Sequence, residues 1–214
     1  MNRASALTPA ARSVLDRLEE RDSKDRQLGL PKAERVRAVS PGLAALLHAL
    51  VLARGARLIL ELGTSAGYST IWLASAAAAV GGRVVSIEND AAKSRWARGN
   101  LEEAGLAGHV ELVLADAQDF CRSRREAWDL VLLDHRGGGY KDALAELAPR
   151  IAPGGVVVAD GWRRVETWLE DPVYRDYLEY SESLPGFRTV LIPFDKGAVL
   201  SYRERSESLG GSGR

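Results

Sequence analysis

Hydrophobic positions change rhythm once along the chain. Up to about residue 55 they recur three and four apart. Val14, Leu15 and Leu18 mark one face of a charged segment, and Leu43, Leu46, Leu47, Leu50 and Val51 mark a second. This spacing predicts two amphipathic helices. Thr8-Pro9 and Ser40-Pro41 start them, each joining an N-cap hydroxyl to a proline at the first helical position. The first helix reaches about Arg26. Between the two, Leu28 to Val39 is an irregular basic connector broken by Gly29 and Pro31.

From Arg57 short apolar runs alternate with helix-length segments. The runs are Leu58-Ile59-Leu60, Val84 to Ile87, Val110 to Leu114, Leu130 to Leu133 and Val156-Val157-Val158. Helical patterns lie between them at about Tyr68–Ala79, Ala91–Ala104, Gln118–Arg125 and Tyr140–Ile151. Runs without polar alternation suit strands buried on both faces, and the strand–helix alternation predicts a parallel sheet with helices on both sides. After Asp160 the pattern shifts. Trp162 to Glu182 reads as one or two helices broken at Asp171-Pro172. Phe187 to Phe194 and Ala198 to Tyr202 read as a hairpin turning at Asp195-Lys196-Gly197, which adds antiparallel character at one sheet edge. The expected organisation is one domain over 1–205, with a helical cap at about 8–55 and a Ser/Gly-rich disordered tail at 206–214.

Composition adds exclusions. Hydrophobic residues make up 46% and charged residues 27%, as in an ordinary globular domain. Lys+Arg and Asp+Glu both total 29, so no net charge draws the chain to nucleic acid or an acidic membrane. A local basic patch stays open. Cys121 is the one cysteine, so no intramolecular disulfide forms, and it reads as a small buried residue. No apolar run approaches the ~20 residues needed to span a bilayer. The start of the chain carries no secretory pattern, and a cytoplasmic location is expected.

The informative segment is Leu60-Glu61-Leu62-Gly63-Thr64-Ser65-Ala66-Gly67-Tyr68-Ser69-Thr70. It leaves a buried strand and enters a helix through two glycines, which let the backbone turn and approach a ligand closely. The three residues between Gly63 and Gly67 do not match the G-x-G-x-x-G of dinucleotide sites, which argues against a nicotinamide dehydrogenase. No Lys-Ser/Thr pair follows for a P-loop. At the end of the next strand, Glu88-Asn89-Asp90 places an acid where it can accept from ribose hydroxyls. After the third strand, Asp116-Ala117-Gln118 can face an adenine amine; Asp116 also suits a helix N-cap.

Together, E-x-G-x-x-x-G at Glu61, Gly63 and Gly67, the acid at Glu88 and the turn Ala115-Asp116-Ala117 resemble the S-adenosylmethionine (SAM)-binding pattern of class I methyltransferases. More finely, Glu61 to Thr70, Leu133-Asp134-His135, Tyr140, and Gly154-Gly155 through Ala159-Asp160 are similar to the small O-methyltransferases related to catechol and caffeoyl-CoA O-methyltransferases. The similarity runs from about Gly29 to Tyr202. It implies a three-layer Rossmann-like α/β sandwich with a mostly parallel seven-stranded sheet, the hairpin at its end and the N-terminal helices outside. It implies methyl transfer from SAM to a hydroxyl of a small, catechol-like aromatic acceptor. In the loop that starts at Glu61, Gly63 and Gly67 would line the methionine part of SAM, beside Thr64, Ser65 and Tyr68. Ser69 would lie near the methionine carboxylate, with the backbone around Val39 closing the same end. Glu88 and Asn89 would hold the ribose, and Asp116, Ala117 and Gln118 would border the adenine. Asp134 and His135 would lie beside the sulfonium. A homodimer is also implied.

The chemistry is less complete. A phenol has a pKa of about 10 and needs a base or a divalent cation to react near neutral pH. The resemblance implies Mg²⁺ or another divalent cation held by two aspartates and an asparagine, with a lysine nearby. The aspartates are Asp134 and Asp160, but the asparagine position is Gly161 and the lysine position is Gly137, inside a Gly137-Gly138-Gly139 run. Metal dependence is therefore open. Lys141, Arg136 and Lys32 are candidate bases by position, as is Asp134 itself. The glycine run reads as a mobile loop or a plain connector. Trp162 and Trp168 either wall an aromatic acceptor pocket or pack on the core. Two other functions remain open: a tRNA nucleoside methyltransferase, and a SAM-binding protein that has lost catalysis.

Overall fold

The computed structural model describes residues 7–135, 137–161, 167, 170–193 and 196–205. Its seven strands are β1 (Leu58–Leu62), β2 (Arg83–Glu88), β3 (Val110–Leu114), β4 (Trp128–Leu133), β5 (Ile151–Asp160), β6 (Phe187–Ile192) and β7 (Ala198–Arg203). They form one sheet in the order β3-β2-β1-β4-β5-β7-β6. β1 to β5 run parallel, and β7 pairs antiparallel with both β5 and β6. Ile59, Leu60 and Leu62 of β1 are fully buried, as a central strand covered on both faces requires.

The chain leaves β1 toward β2 and β3, then returns to place β4 on the other side of β1. Connections therefore diverge at the carboxyl ends of β1 and β4, which opens a crevice there. That crevice is where the candidate site lies.

The helices are α1 (Pro9–Gln27), α2 (Pro41–Arg54), α3 (Tyr68–Val80), α4 (Ala91–Glu103), α5 (Ala117–Ser123), α6 (Tyr140–Leu147) and α7 (Pro172–Ser183). Thr8 and Ser40 cap α1 and α2 by accepting from the Ala11 and Leu43 amides at 3.1 and 3.2 Å. The predicted start signals thus act as read. α3 is apolar all round because the sheet covers one side and α1 and α2 cover the other. α5, α6 and α7 build the second apolar layer on the opposite face. The sandwich predicted from strand–helix alternation is the observed architecture.

Two boundaries differ from the sequence reading. α6 stops at Leu147, since Pro149 has no N–H to continue it, and a 3-10 turn over Ala148–Arg150 follows. β5 then begins at Ile151 rather than at Val156, with an irregular register opposite Trp128 and Leu130. The break at Asp171-Pro172 is the start of α7, with Asp171 accepting from the Val173 amide at 3.0 Å. Arg136, Trp162, Trp168 and the 206–214 tail lie outside the described residues.

Candidate active site

One half of the crevice is built by the turn after β1. Gly63 has φ 105, and a Cβ there would sit 2.3 Å from the Asp134 carbonyl oxygen. Only glycine lets the β1 and β4 exits pass this closely. Ser65 holds φ 49, a left-handed conformation unusual for a non-glycine residue. Its amide donates to Glu88 Oε2 at 2.8 Å, and its hydroxyl donates to the Val36 carbonyl at 2.6 Å. Glu88 Oε1 accepts from the amides of Asn89 and Asp90, both at 3.0 Å. The acid at the tip of β2 is thereby fixed against the glycine turn. These groups border a cavity of about 490 Å³ with Gly63, Ser65, Glu88, Asn89, Asp116, Ala117, Asp134 and His135 on its wall.

Behind this wall sits a buried polar network. Glu61 Oε2 accepts from Thr70 Oγ1 at 2.5 Å and from Ser86 Oγ at 2.6 Å, while Thr64 and Ser86 share a hydrogen bond of 2.5 Å. Burial pushes the Glu61 carboxyl up to about 7. Glu61, Thr64, Tyr68 and Ser69 are buried here and do not reach the cavity wall; they brace the turn from beneath. Gly67 caps α3 in a left-handed conformation. Tyr68 donates its hydroxyl to Glu19 of α1 at 2.6 Å. Val39 is buried beneath the connector, and its neighbours Arg37 and Ala38 line the cleft. Asp116 caps α5, accepting from the Gln118 and Asp119 amides at 2.8 and 3.2 Å. Gln118 donates to the Gly139 carbonyl at 2.7 Å, and its buried Oε1 has no partner among the described residues.

The other half is a cavity of about 590 Å³ whose wall includes Asp134, His135, Tyr140 and Asp160 together with Arg26, Lys32, Arg37 and Lys196. Lys32, Arg37, Asp134 and His135 line both halves, so the two cavities meet at the end of β4. Burial and the Asp160 carboxylate hold the Asp134 carboxyl well above the ordinary carboxylate range, against the charges of Arg37 and Lys196. Burial also pushes Asp160 up to about 6. Burial lowers His135 to about 4, so its imidazole is neutral near pH 7. Tyr174 donates its hydroxyl to the Asp160 carbonyl at 3.0 Å, and the Tyr140 and Tyr177 rings meet edge to face at 5.8 Å.

Asp134 and Asp160 are thus brought together as expected. The third donor is lacking, since Gly161 has no side chain. Among the described residues no group of three or more His, Cys, Asp or Glu side chains is placed to hold an ion. Two cationic side chains already face the pair. This donor set does not fit a resident divalent cation. Lys141 faces elsewhere: its ammonium lies 2.7 Å from Asp176 on the surface, away from both cavities. Sequence reasoning read Lys196 only as a turn residue and Arg37 only as part of the basic connector. The signal for Arg37 is its backbone, φ 55, which no residue pattern reveals.

A model of the methyltransferase domain matches residues 60–162. A protein of Mycolicibacterium vanbaalenii classed with the O-methyltransferases is 30% identical over 78% of this chain and 77% of its own. The catechol O-methyltransferase of Niastella koreensis is 33% identical over 58% of this chain, and the match spans just 57% of that protein's length. Among solved structures, the O-methyltransferase TomG of Streptomyces achromogenes, involved in tomaymycin synthesis and solved in complex with SAM, superposes with a TM-score of 0.76. It is 28% identical, with 95% of this chain and 93% of that one covered.

Proposed function

The chain belongs to the class I SAM-dependent O-methyltransferases, and from that premise we propose that it moves the methyl group of SAM onto a hydroxyl of a small, catechol-like aromatic acceptor. The observation that carries this reading is the meeting of two cavities at Asp134, with a half bordered by Gly63, Glu88 and Asp116 on one side and a half walled by Tyr140 on the other. A named relative, from Niastella koreensis, acts on catechol.

The cofactor-side residues fit SAM. Gly63 lets the β1 and β4 exits close up, which brings the glycine turn and the Asp134 loop to one cavity wall. The Glu88 carboxylate, already oriented by three amides, accepts from the ribose hydroxyls. Asp116 and the unpartnered Gln118 Oε1 accept from the adenine amine. Bound SAM would supply a methyl carbon made electrophilic by its positive sulfur; the acceptor oxygen would bond to that carbon in line as the carbon–sulfur bond breaks and S-adenosylhomocysteine leaves. The protein's contribution is alignment and deprotonation. Asp134 stands where both halves meet, and it takes the proton from the acceptor hydroxyl. A carboxylate held above its ordinary range is a stronger base for that step. The His135 ring packs against Tyr140, which in turn meets Tyr177, and this stack holds the wall beside Asp134 in place.

Labelled SAM incubated with catechol tests the reading. The expected product is the mono-O-methylated catechol, formed equally well after EDTA treatment. Transfer of label to bulk tRNA and not to any phenol would contradict the acceptor class. Loss of activity in EDTA, restored by Mg²⁺, would contradict the metal-free base.

A further inference from the structure

The acceptor half of the cleft is lined by five basic side chains against three carboxylates. Two of the five are engaged: Arg26 pairs with Asp22 at 2.7 Å, and Arg35 donates to the Leu30 carbonyl. Lys32, Arg37 and Lys196 make no hydrogen bond or ion pair among the described residues. Arg37 and Lys196 act on the Asp134 and Asp160 carboxyls through space, but neither is held by a direct bond among the described residues, so each remains able to take a hydrogen-bonded anion in this concave wall, where it gains more from a charged partner than in open water.

Arg37 carries a second, independent mark. Its φ of 55 is left-handed, a conformation that a long side chain rarely adopts. The backbone is held there from both sides. The Val36 amide donates to Asp25 Oδ2 at 3.0 Å, and the Ala38 amide donates to Asp22 Oδ1 at 3.3 Å. Asp25 is fully buried and locked by Arg21 at 2.6 Å. Two aspartates of α1 therefore fix the one residue of the connector whose guanidinium borders both halves of the cleft. Strain maintained by surrounding structure in this way gathers at ligand sites. On the cofactor side a different cation is in place: Lys93 donates to the Arg35 carbonyl and lies 3.3 Å from Ser65 Oγ. Lys196 lines the acceptor half alone.

We propose that Arg37 and Lys196, with Lys32, form an oxyanion subsite in the acceptor half, so that the preferred acceptor is a hydroxylated aromatic bearing a carboxylate or phosphate substituent. The proposal rests on the O-methyltransferase reading above. Asp134 lines the same cavity as these cations, so an acceptor anchored by its anion can present a ring hydroxyl to that carboxylate.

Three acceptors test it: catechol, a dihydroxybenzoate and a dihydroxyphenyl phosphonate. The wild-type protein is expected to show kcat/KM at least about tenfold higher for one or both anionic acceptors than for catechol, falling with added salt. A benzoate preference assigns a carboxylate ligand, and a phosphonate preference a phosphate. Arg37→Gln and Lys196→Gln should each cut the anionic-to-neutral ratio at least about fivefold, while Arg37→Lys keeps most of it. Arg188→Gln, which removes a surface cation elsewhere, should leave the ratio unchanged. Equal rates with all three acceptors overturn the subsite while leaving methyl transfer intact. So does a parallel loss with catechol and the anions, which would mean that these cations serve only the phenolate. So does a weakened SAM affinity in Arg37→Gln with an unchanged ratio. If no acceptor is methylated, the reading beneath the proposal has failed. Titration of the acceptors into the protein with S-adenosylhomocysteine (SAH) then decides the subsite by itself: tighter binding of an anionic acceptor supports it, and equal binding ends it.

Discussion

At the residue scale, single atoms set the geometry of the cleft. Gly63 admits no side chain, because a Cβ would lie inside the contact distance of the Asp134 carbonyl and the left-handed φ would add strain. Gly63→Ala should therefore force the β1 and β4 exits apart. The expected outcome is a loss of SAH affinity of at least about tenfold, together with a lower melting temperature, read by thermal denaturation with and without SAH. Glu61 makes a different prediction. Burial holds its carboxyl at about 7 in the fold, above the 4.5 of an exposed glutamate. Between those limits the folded state binds more protons than the unfolded state, so stability falls as pH rises through that window. Glu61→Gln should remove up to about 3 kcal/mol of this slope, measured by urea denaturation at about pH 5 and about pH 8. A variant with the wild-type slope would show that Glu61 is not the buried acid responsible. Gly63 and Glu88 were readable from sequence because both belong to a local strand–turn pattern. The left-handed backbone of Arg37 and the roles of Lys196 and Ser86 were not, because they arise from contacts between distant segments.

At the scale of elements, α1 does more than cover the core. Asp22 and Asp25 on its last turns accept amides of the connector, and Arg17 reaches across to Glu103 at 2.6 Å and to Asn100 at 3.1 Å. Asn100 of α4 in turn donates to the Ala66 carbonyl in the glycine turn at 2.8 Å. One helix thus ties the connector, α4 and the cofactor turn together. Asp25→Ala strips Val36 and Arg21 of a buried acceptor at once. The expected cost is about 1–3 kcal/mol in urea denaturation, with faster proteolysis between Leu28 and Val39 and a raised KM for the acceptor. Unchanged proteolysis would show that the connector stands without this clamp. Helix starts were legible in the sequence because Thr8-Pro9, Ser40-Pro41 and Asp171-Pro172 cap them through local chemistry. The β5 start was not, since Ile151 to Gly155 join the sheet through pairing with Trp128 rather than through any apolar run of their own.

At the scale of the whole molecule, the sheet order explains why one cleft has two chemistries. The divergence of connections at β1 and β4 brings the glycine turn, the β2 acid and the Asp134 loop to a single edge. The antiparallel β7 then adds Lys196 and Gly197 from the far end of the chain, where the Gly161 amide donates to the Gly197 carbonyl at 3.0 Å. Strand–helix alternation made this architecture readable, while the meeting of Arg37, Asp134, Asp160 and Lys196 needed the folded chain. The most direct test of the account is calorimetric titration of SAH into wild-type protein and Glu88→Ala. The account predicts one saturating site in the wild type, weakened at least about tenfold, or about 1.4 kcal/mol, by loss of the carboxylate. Absence of binding to well-folded wild-type protein, or equal affinity in the two proteins, would contradict it.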